Sequence, residues 1–379
     1  MNRVTKTTII ILIVSVMVGV IGANPKYLPT TRTSTKVDIS TSQEIEHSIR
    51  LGLEWLLKQQ EEDGSWNHYP AITGLVLSTF LRAHPNIDSE YSELARSFDF
   101  LKKCVQEDGS IHVGDMPGYN TSICLVAFKD SKNPEYDQII KNAEKYLRGL
   151  QIDEKEGFTA DSLYYGGVGY GGDERPDMSN LQWAIEAISY KEPSQDGARL
   201  SRSEKKQLEE NQLFYDKALT FIARCQNLEG VNPEDYAGND GGFIYEPGQS
   251  KAGGNTSYAS MGYAGLKSMI YAKVDKDDKR VKAAYSWLTK NYSVTENIPL
   301  GNMGVYYNYQ TMAKALAAYD EDILVDHNGV EHNWRIELAN QLIQTQDQEG
   351  WWVNENGRWW ENNPVLVTTY CILTLEQLL

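Results

Sequence analysis

The chain is predicted to be all-α, an α/α toroid of six helical hairpins in two concentric layers. Three observations predict it. An aromatic–aliphatic pair with a Gln four residues beyond the aliphatic member recurs along the sequence. Polar, amphipathic helical segments alternate with segments apolar nearly all round. The first and last copies of the repeat match each other best, as expected where a ring closes; an open solenoid would carry distinct polar capping repeats instead.

Before the repeats, Arg3 and Lys6 precede an apolar run at 9–21 that ends in Gly22-Ala23. A charged lead, a short apolar stretch and a small-residue end read as a signal peptide over 1–23; an uncleaved signal anchor is the alternative. Residues 24–40 are rich in Thr, Ser and Pro and read as a tether. The toroid then spans 41–379. The folded body is expected to be exported, periplasmic or extracellular. It would touch a membrane only through the N-terminal segment if that stays uncleaved.

The copies are Trp55-Leu56-x-x-x-Gln60, Phe100-Leu101, Tyr146-Leu147-x-x-x-Gln151, Phe221-Ile222-x-x-x-Gln226, Trp287-Leu288 and Leu342-x-x-x-Gln346. Gly64, Gly109, Gly157, Gly230 and Gly350 follow as turn residues. Each copy reads as an outer helix, a Gly turn and a buried inner helix. The first outer helix is predicted to start at a Thr41-x-x-Glu44 capping box. Inner helices are predicted near 71–81, 121–128, 179–189, 257–272, 308–319 and 364–378. The small residues Ala259, Ser260, Gly262, Ala264 and Gly265 suggest close packing in the inner ring. Cys104 and Cys225 share one repeat position and so read as buried free thiols, with a Cys104–Cys124 bridge as the alternative.

Trp55-Leu56-x-x-x-Gln60-x-x-x-Gly64-x-Trp66 resembles the Gln-Trp motif of squalene and oxidosqualene cyclases. Leu342-x-x-x-Gln346-x-x-x-Gly350-x-Trp352 repeats it, with Gln341 where the leading aromatic would stand. Residues 41–379 as a whole resemble the prenyltransferase/squalene-oxidase repeat proteins, in particular exported bacterial members with a single toroid. The resemblance implies the toroid fold and a central cavity. It leaves activity open, because the same fold serves cyclases, protein prenyltransferases, thioester domains and binding proteins. For the Gln and Trp of the motif a scaffold role is expected, the Gln bonding backbone at a helix end and the Trp covering it.

Copies three and four are longer than the rest, with insertions at 157–178, 191–212 and 228–256. The middle one is charged and reads as a solvated linker. The other two enter where inner helices begin, at the mouth of the toroid, and long ordered insertions there point to function. The Gly-rich stretch 166–172 lacks the βαβ setting of a phosphate loop and reads as a Gly/Tyr lid. Candidate ligand-binding aromatics are Tyr164, Tyr165, Tyr170, Tyr245, Tyr258, Tyr263, Tyr306, Tyr307, Tyr309, Trp359 and Trp360, which could stack on a ligand or stabilise a cation. Tyr69 and Tyr119 lie in equivalent turn-to-inner-helix segments. Candidate catalytic acids are Asp177, Asp240 and Asp173. Asp177 also fits a helix N-cap, with Asn180 three residues on.

Composition narrows the partners. Net charge is −16, and Tyr outnumbers Phe 23 to 8. An acidic chain argues against nucleic acid, and surplus phenols argue for a wet aromatic surface. No cofactor is implied and no metal site is read. Asp275-Lys276-Asp277-Asp278 matches the acid motif of class II terpene cyclases in composition, but sits in an inter-repeat turn. The Asp-x-Cys of zinc prenyltransferases and the Cys-Gly-Glu-Gln of thioester domains do not occur. Three functions stay open: a divergent isoprenoid cyclase or transferase, a non-catalytic binder of a lipid, isoprenoid, glycan or peptide, and a polysaccharide lyase or hydrolase.

Overall fold

A computed structural model describes residues 36–83, 92–171, 175–193 and 200–379. The signal and most of the tether lie outside the described residues, as does Asp173. Among the described residues, twelve α-helices alternate between layers. The outer ones are α1 (Ile39–Lys58), α3 (Ser92–Lys103), α5 (Asp137–Gly149), α7 (Arg202–Cys225), α9 (Lys279–Lys290) and α11 (Trp334–Thr345). The inner ones are α2 (Pro70–Ala83), α4 (Pro117–Ser131), α6 (Met178–Ser189), α8 (Ala259–Tyr271), α10 (Val305–Tyr319) and α12 (Pro364–Leu378). Each inner helix packs on the next, and α12 returns to α2, so the ring is closed. A short hairpin, β1 (Ile323–Val325) with β2 (Glu331–Asn333), sits outside it.

The motif residues build the outer wall. Gln60 Nε2 donates to the Gly64 carbonyl at 3.1 Å and to Ser97 Oγ of the next outer helix at 2.8 Å. Trp66 Nε1 donates to the Leu56 carbonyl at 2.7 Å, satisfying a helix-end acceptor inside the core. Gln346 and Trp352 repeat this: Gln346 reaches the Gly350 carbonyl at 2.8 Å, and Trp352 Nε1 reaches the Leu342 carbonyl at 2.8 Å. The turn glycine presses against the following outer helix. A Cβ on Gly64 would lie 2.6 Å from the Arg96 carbonyl oxygen, and one on Gly350 would lie 2.5 Å from that of Leu51.

Four expectations about this scaffold change. In copies three and four the packing glycines are Gly166 and Gly241, against Lys217 and Ala283, whereas Gly157 and Gly230 face open space. The inserted residues are pinched off before the turn, by Gly166 N to Ile152 O at 2.8 Å and Gly241 N to Asn227 O at 2.7 Å. Helix α1 begins at Ile39, because Asp38 accepts from the Ser40 and Thr41 amides and caps it upstream of Thr41. Residues 202–212 are the first turns of α7, started by a Ser201/Glu204 capping box. Gly262 and Gly265 make room for Leu288 and Phe243, while Gly74 faces a neighbouring inner helix, where a Cβ would lie 3.3 Å from the Cys124 Cα. All four cysteines are free and buried. Asp278 caps α9, accepting from the Arg280 amide at 2.8 Å, so the Asp275–Asp278 stretch is a turn and cap.

Candidate functional site

A cavity of about 260 Å³ lies where the inner helices begin. Each inner helix contributes: Ile72 and Leu75 from α2, Tyr119 from α4, Ser179 and Trp183 from α6, Met261 from α8, Tyr307 from α10, and Leu366 and Tyr370 from α12. The loops add Tyr69, Met116, Tyr170, Tyr245, Tyr258, Trp359 and Trp360. Among the described residues that line it, none carries a carboxylate, ammonium or guanidinium group. The two mouth insertions therefore each deliver one phenol to the wall, Tyr170 and Tyr245.

Six of the eleven candidate aromatics meet here: Tyr170, Tyr245, Tyr258, Tyr307, Trp359 and Trp360. The other five do not line the cavity. Tyr165 turns to the outer layer, where its hydroxyl donates to Glu154 at 2.6 Å. Tyr306 and Tyr309 flank Tyr307 on α10, and about 100° of rotation per residue carries them off its face; the Tyr309 hydroxyl donates to the Val294 carbonyl at 2.8 Å. Tyr263 is buried within α8, and Tyr164 packs at the edge of the core. Trp183 and Tyr370 had no sequence signal, since inner helices that are buried all round show no preferred face. Tyr69 and Tyr119 could have been read from their position in the turn segments.

Trp359 and Trp360 cover the mouth. Both have left-handed backbone, φ 54° and 65°, which bulky residues adopt only when the surroundings impose it. Two contacts fix the pair. Trp360 meets Tyr69 edge-on with centroids 5.5 Å apart, and Trp359 lies over Gly304, where a Cβ would come within 2.8 Å of the indole. The next residue, Glu361, is fully buried and accepts from the Tyr307 amide at 2.8 Å and from Asn354 Nδ2 at 2.7 Å. Burial pushes its carboxyl up to about 7 against these hydrogen bonds. Its place at the first amides of α10 ties the tryptophan pair to the helix that carries Tyr307.

Asp177 is the N-cap of α6, accepting from the Asn180 amide at 2.8 Å and from its Nδ2 at 2.7 Å. It is also 3% exposed, and burial raises its carboxyl to about 6 despite those bonds and one from Tyr245. Tyr245 lines the cavity, and its hydroxyl lies 3.5 Å from that of Tyr170. Asp177 thus stands one phenol behind the cavity wall. Asp240 is placed differently. It sits in an exposed turn, accepting from the Gly242 amide at 2.9 Å and from Ser257 Oγ at 2.8 Å. Asp63 and Asp108 hold the equivalent turns in the same way, each on the second-next amide and a serine hydroxyl.

Below Trp183 the ring is ionic. Glu186 on α6 pairs with Lys267 on α8 at 2.6 Å and with Lys314 on α10. Lys267 also bonds Gln182, whose Nε2 donates to the Tyr307 hydroxyl at 3.2 Å. Burial alone would raise the Glu186 carboxyl, yet the two lysines hold it at about 2. Burial lowers Lys314 to about 8. Both ammonium groups lie within 5.4 Å of the Trp183 ring, so that indole separates an apolar chamber from a charged floor. Among the described residues no group of three or more His, Cys, Asp or Glu could hold a metal ion.

No family model matches the chain, and no curated protein matches it. Solved structures do. One is a type II terpene cyclase from Scytonema, MstE, as a variant in complex with geranylgeranyl dihydroxybenzoate: TM-score 0.54 and 9% identity over 89% of this chain and 98% of that one. A second variant with the same substrate gives 0.52 and 11%, over 90% and 99%. A family 76 glycoside hydrolase from a bovine Bacteroides thetaiotaomicron strain gives 0.53 and 11%, over 88% and 77%. The chain therefore shares the α/α toroid fold with enzymes of two chemistries.

Proposed function

We propose that this protein binds an apolar small molecule of isoprenoid type in the central cavity, beneath Trp359 and Trp360. One observation carries the reading: a chamber of about 260 Å³, walled mainly by aromatic and aliphatic side chains, with no charged one among the described residues that line it. Such a lining rewards burial of hydrocarbon and offers aromatic faces to it. The isoprenoid-bearing substrate of the Scytonema cyclase supports the ligand class. The polysaccharide reading is less favoured, because a glycan site calls for an open groove with acids facing the sugar, and no acid is among the described residues that line this cavity. The reading takes the body as exported, with residues 1–23 directing it. Native mass spectrometry of protein purified from its own host tests the proposal. A noncovalent lipid adduct that disappears in Ile72→Trp supports it; a bare protein mass or a hexose adduct sinks it.

Acid catalysis is the second reading, favoured by Asp177. A carboxyl protonated below about pH 6 and hydrogen-bonded to a cavity tyrosine can feed a proton through Tyr245 to a bound alkene or epoxide.

A further inference from the structure

The cavity is not uniformly apolar, and one of its phenols, Tyr258, has no partner among the described residues and defines the ligand further. Most polar groups of the wall are already engaged by protein. The Tyr307 hydroxyl lies 3.2 Å from Ser179 Oγ and 3.2 Å from Gln182 Nε2. The Tyr245 hydroxyl lies 3.5 Å from that of Tyr170 and interacts with Asp177, as Tyr119 does with Tyr370. Tyr258 differs. It is 2% exposed, but its hydroxyl bonds to no described residue and is not among the polar atoms sealed from any space. The space Tyr258 borders is the cavity. Across the ring from α8, the α2 side presents Ile72 and Leu75. The chamber therefore has an apolar wall facing one that carries the Tyr258 phenol, which has no hydrogen-bond partner among the described residues.

A pure hydrocarbon filling this chamber would expel water from the Tyr258 hydroxyl and give nothing back. Leaving a buried donor unpaired is costly, and sites built around such a donor reject ligands that cannot bond it. The size of the chamber bounds the ligand too. An engineered apolar cavity of about 150 Å³ accepts benzene, so about 260 Å³ suits a skeleton of roughly ten carbons.

We infer that the ligand is an oxygenated isoprenoid of about ten carbons, or the oxygenated end of a longer one, whose carbonyl or hydroxyl oxygen accepts a hydrogen bond from Tyr258. The inference rests on the proposed isoprenoid-binding function of the same cavity.

Limonene and carvone share one ten-carbon skeleton and differ by a ketone, so they test the point. Each is titrated into the purified protein and followed by tryptophan fluorescence and calorimetry. In the wild type, carvone is expected to bind about tenfold or more tightly than limonene. In Tyr258→Phe the ratio should fall to within about twofold, through weaker carvone binding. The thermal midpoint should hold, because the hydroxyl has no protein partner. If both probes bind the wild type equally, or the Phe variant keeps the full ratio, the inference is overturned while the cavity reading stands. If neither probe binds, the cavity reading itself is overturned and the inference with it.

Discussion

Gln346 of the last hairpin is bonded to Ser48 of the first through both ends of its amide. Ser48 Oγ donates to Gln346 Oε1 at 2.6 Å, and Gln346 Nε2 donates to the Ser48 carbonyl at 3.0 Å. Ser48 is buried, so these bonds cannot be traded for water. Gln346→Ala should lower unfolding free energy by about 2–4 kcal/mol, from the lost bonds and the buried Ser48 hydroxyl left without this partner. Urea titration measures it. Hydrogen exchange should rise first in α1 and α12, the helices at the seam. A loss under about 0.5 kcal/mol, or exchange spread evenly over all hairpins, would mean the seam is not what closes the ring.

Gly350→Ala tests the same seam from the backbone side. Its φ of 102° is unfavourable for a side chain, and the new Cβ would lie 2.5 Å from the Leu51 carbonyl oxygen. Gly230→Ala has a comparable φ of 72° but open space around it. The second substitution should cost about 1 kcal/mol. The first should cost clearly more, because the first outer helix must shift away. Equal thermal midpoints for the two variants would contradict the packing role.

That contrast shows what could be read from the repeat and what could not. Gln, Gly and Trp at fixed spacing do a local job, so Gln60, Trp66, Gln346 and Trp352 could be placed before any coordinates. Gly157 and Gly230 were misplaced because an insertion moves the turn without moving the nearest glycine. The cavity was harder. Tyr306, Tyr307 and Tyr309 are nearly adjacent, yet only Tyr307 points inward, and an inner helix buried all round carries no pattern to say so. Glu186, Lys267 and Lys314 lie on three separate helices, one charge each. Only the packing of these consecutive inner helices brings them together.

Glu361 should make stability depend on pH. Its folded-state carboxyl is raised from 4.5 to about 7, so the folded protein binds this proton more tightly than the unfolded chain does. The stabilisation is fully present below about pH 4.5 and is lost as pH rises through 7. The stability difference between wild type and Glu361→Gln should therefore shift by up to about 3 kcal/mol across that window, against the wild type at the alkaline end. Urea midpoints from pH 4 to 8 read it. A difference independent of pH would place the carboxyl in water rather than on the first turn of α10.

Asp177→Asn separates its two roles. The amide oxygen still caps α6, so the fold should survive with a modest change in midpoint. Any turnover that uses the Asp177 proton should fall about a hundredfold or more. Wild-type turnover should rise as pH falls through about 6, where the carboxyl becomes protonated, and the variant should lose that limb. Ligand affinity should change little, because Asp177 stands behind Tyr245. A variant with the wild-type rate and pH profile would leave Asp177 a cap alone.

The ionic floor carries one carboxylate for two ammonium groups. Glu186 is shared by Lys267 and Lys314, all three nearly sealed from solvent. Glu186→Gln strands two buried ammonium groups with no carboxylate between them and should cost about 3–5 kcal/mol, the range for breaking a buried pair by removing one partner. Lys314→Met instead leaves the Glu186–Lys267 pair intact and neutral. It should cost much less, since Lys314 is already easier to deprotonate, with burial lowering it to about 8. Raising the pH through 8 should narrow the gap between Lys314→Met and the wild type, because the wild type then loses the same charge. If the lysine variant proves as damaging as the glutamate variant, Lys314 matters through its packing on Trp183, 5.1 Å from the ring, rather than through its charge.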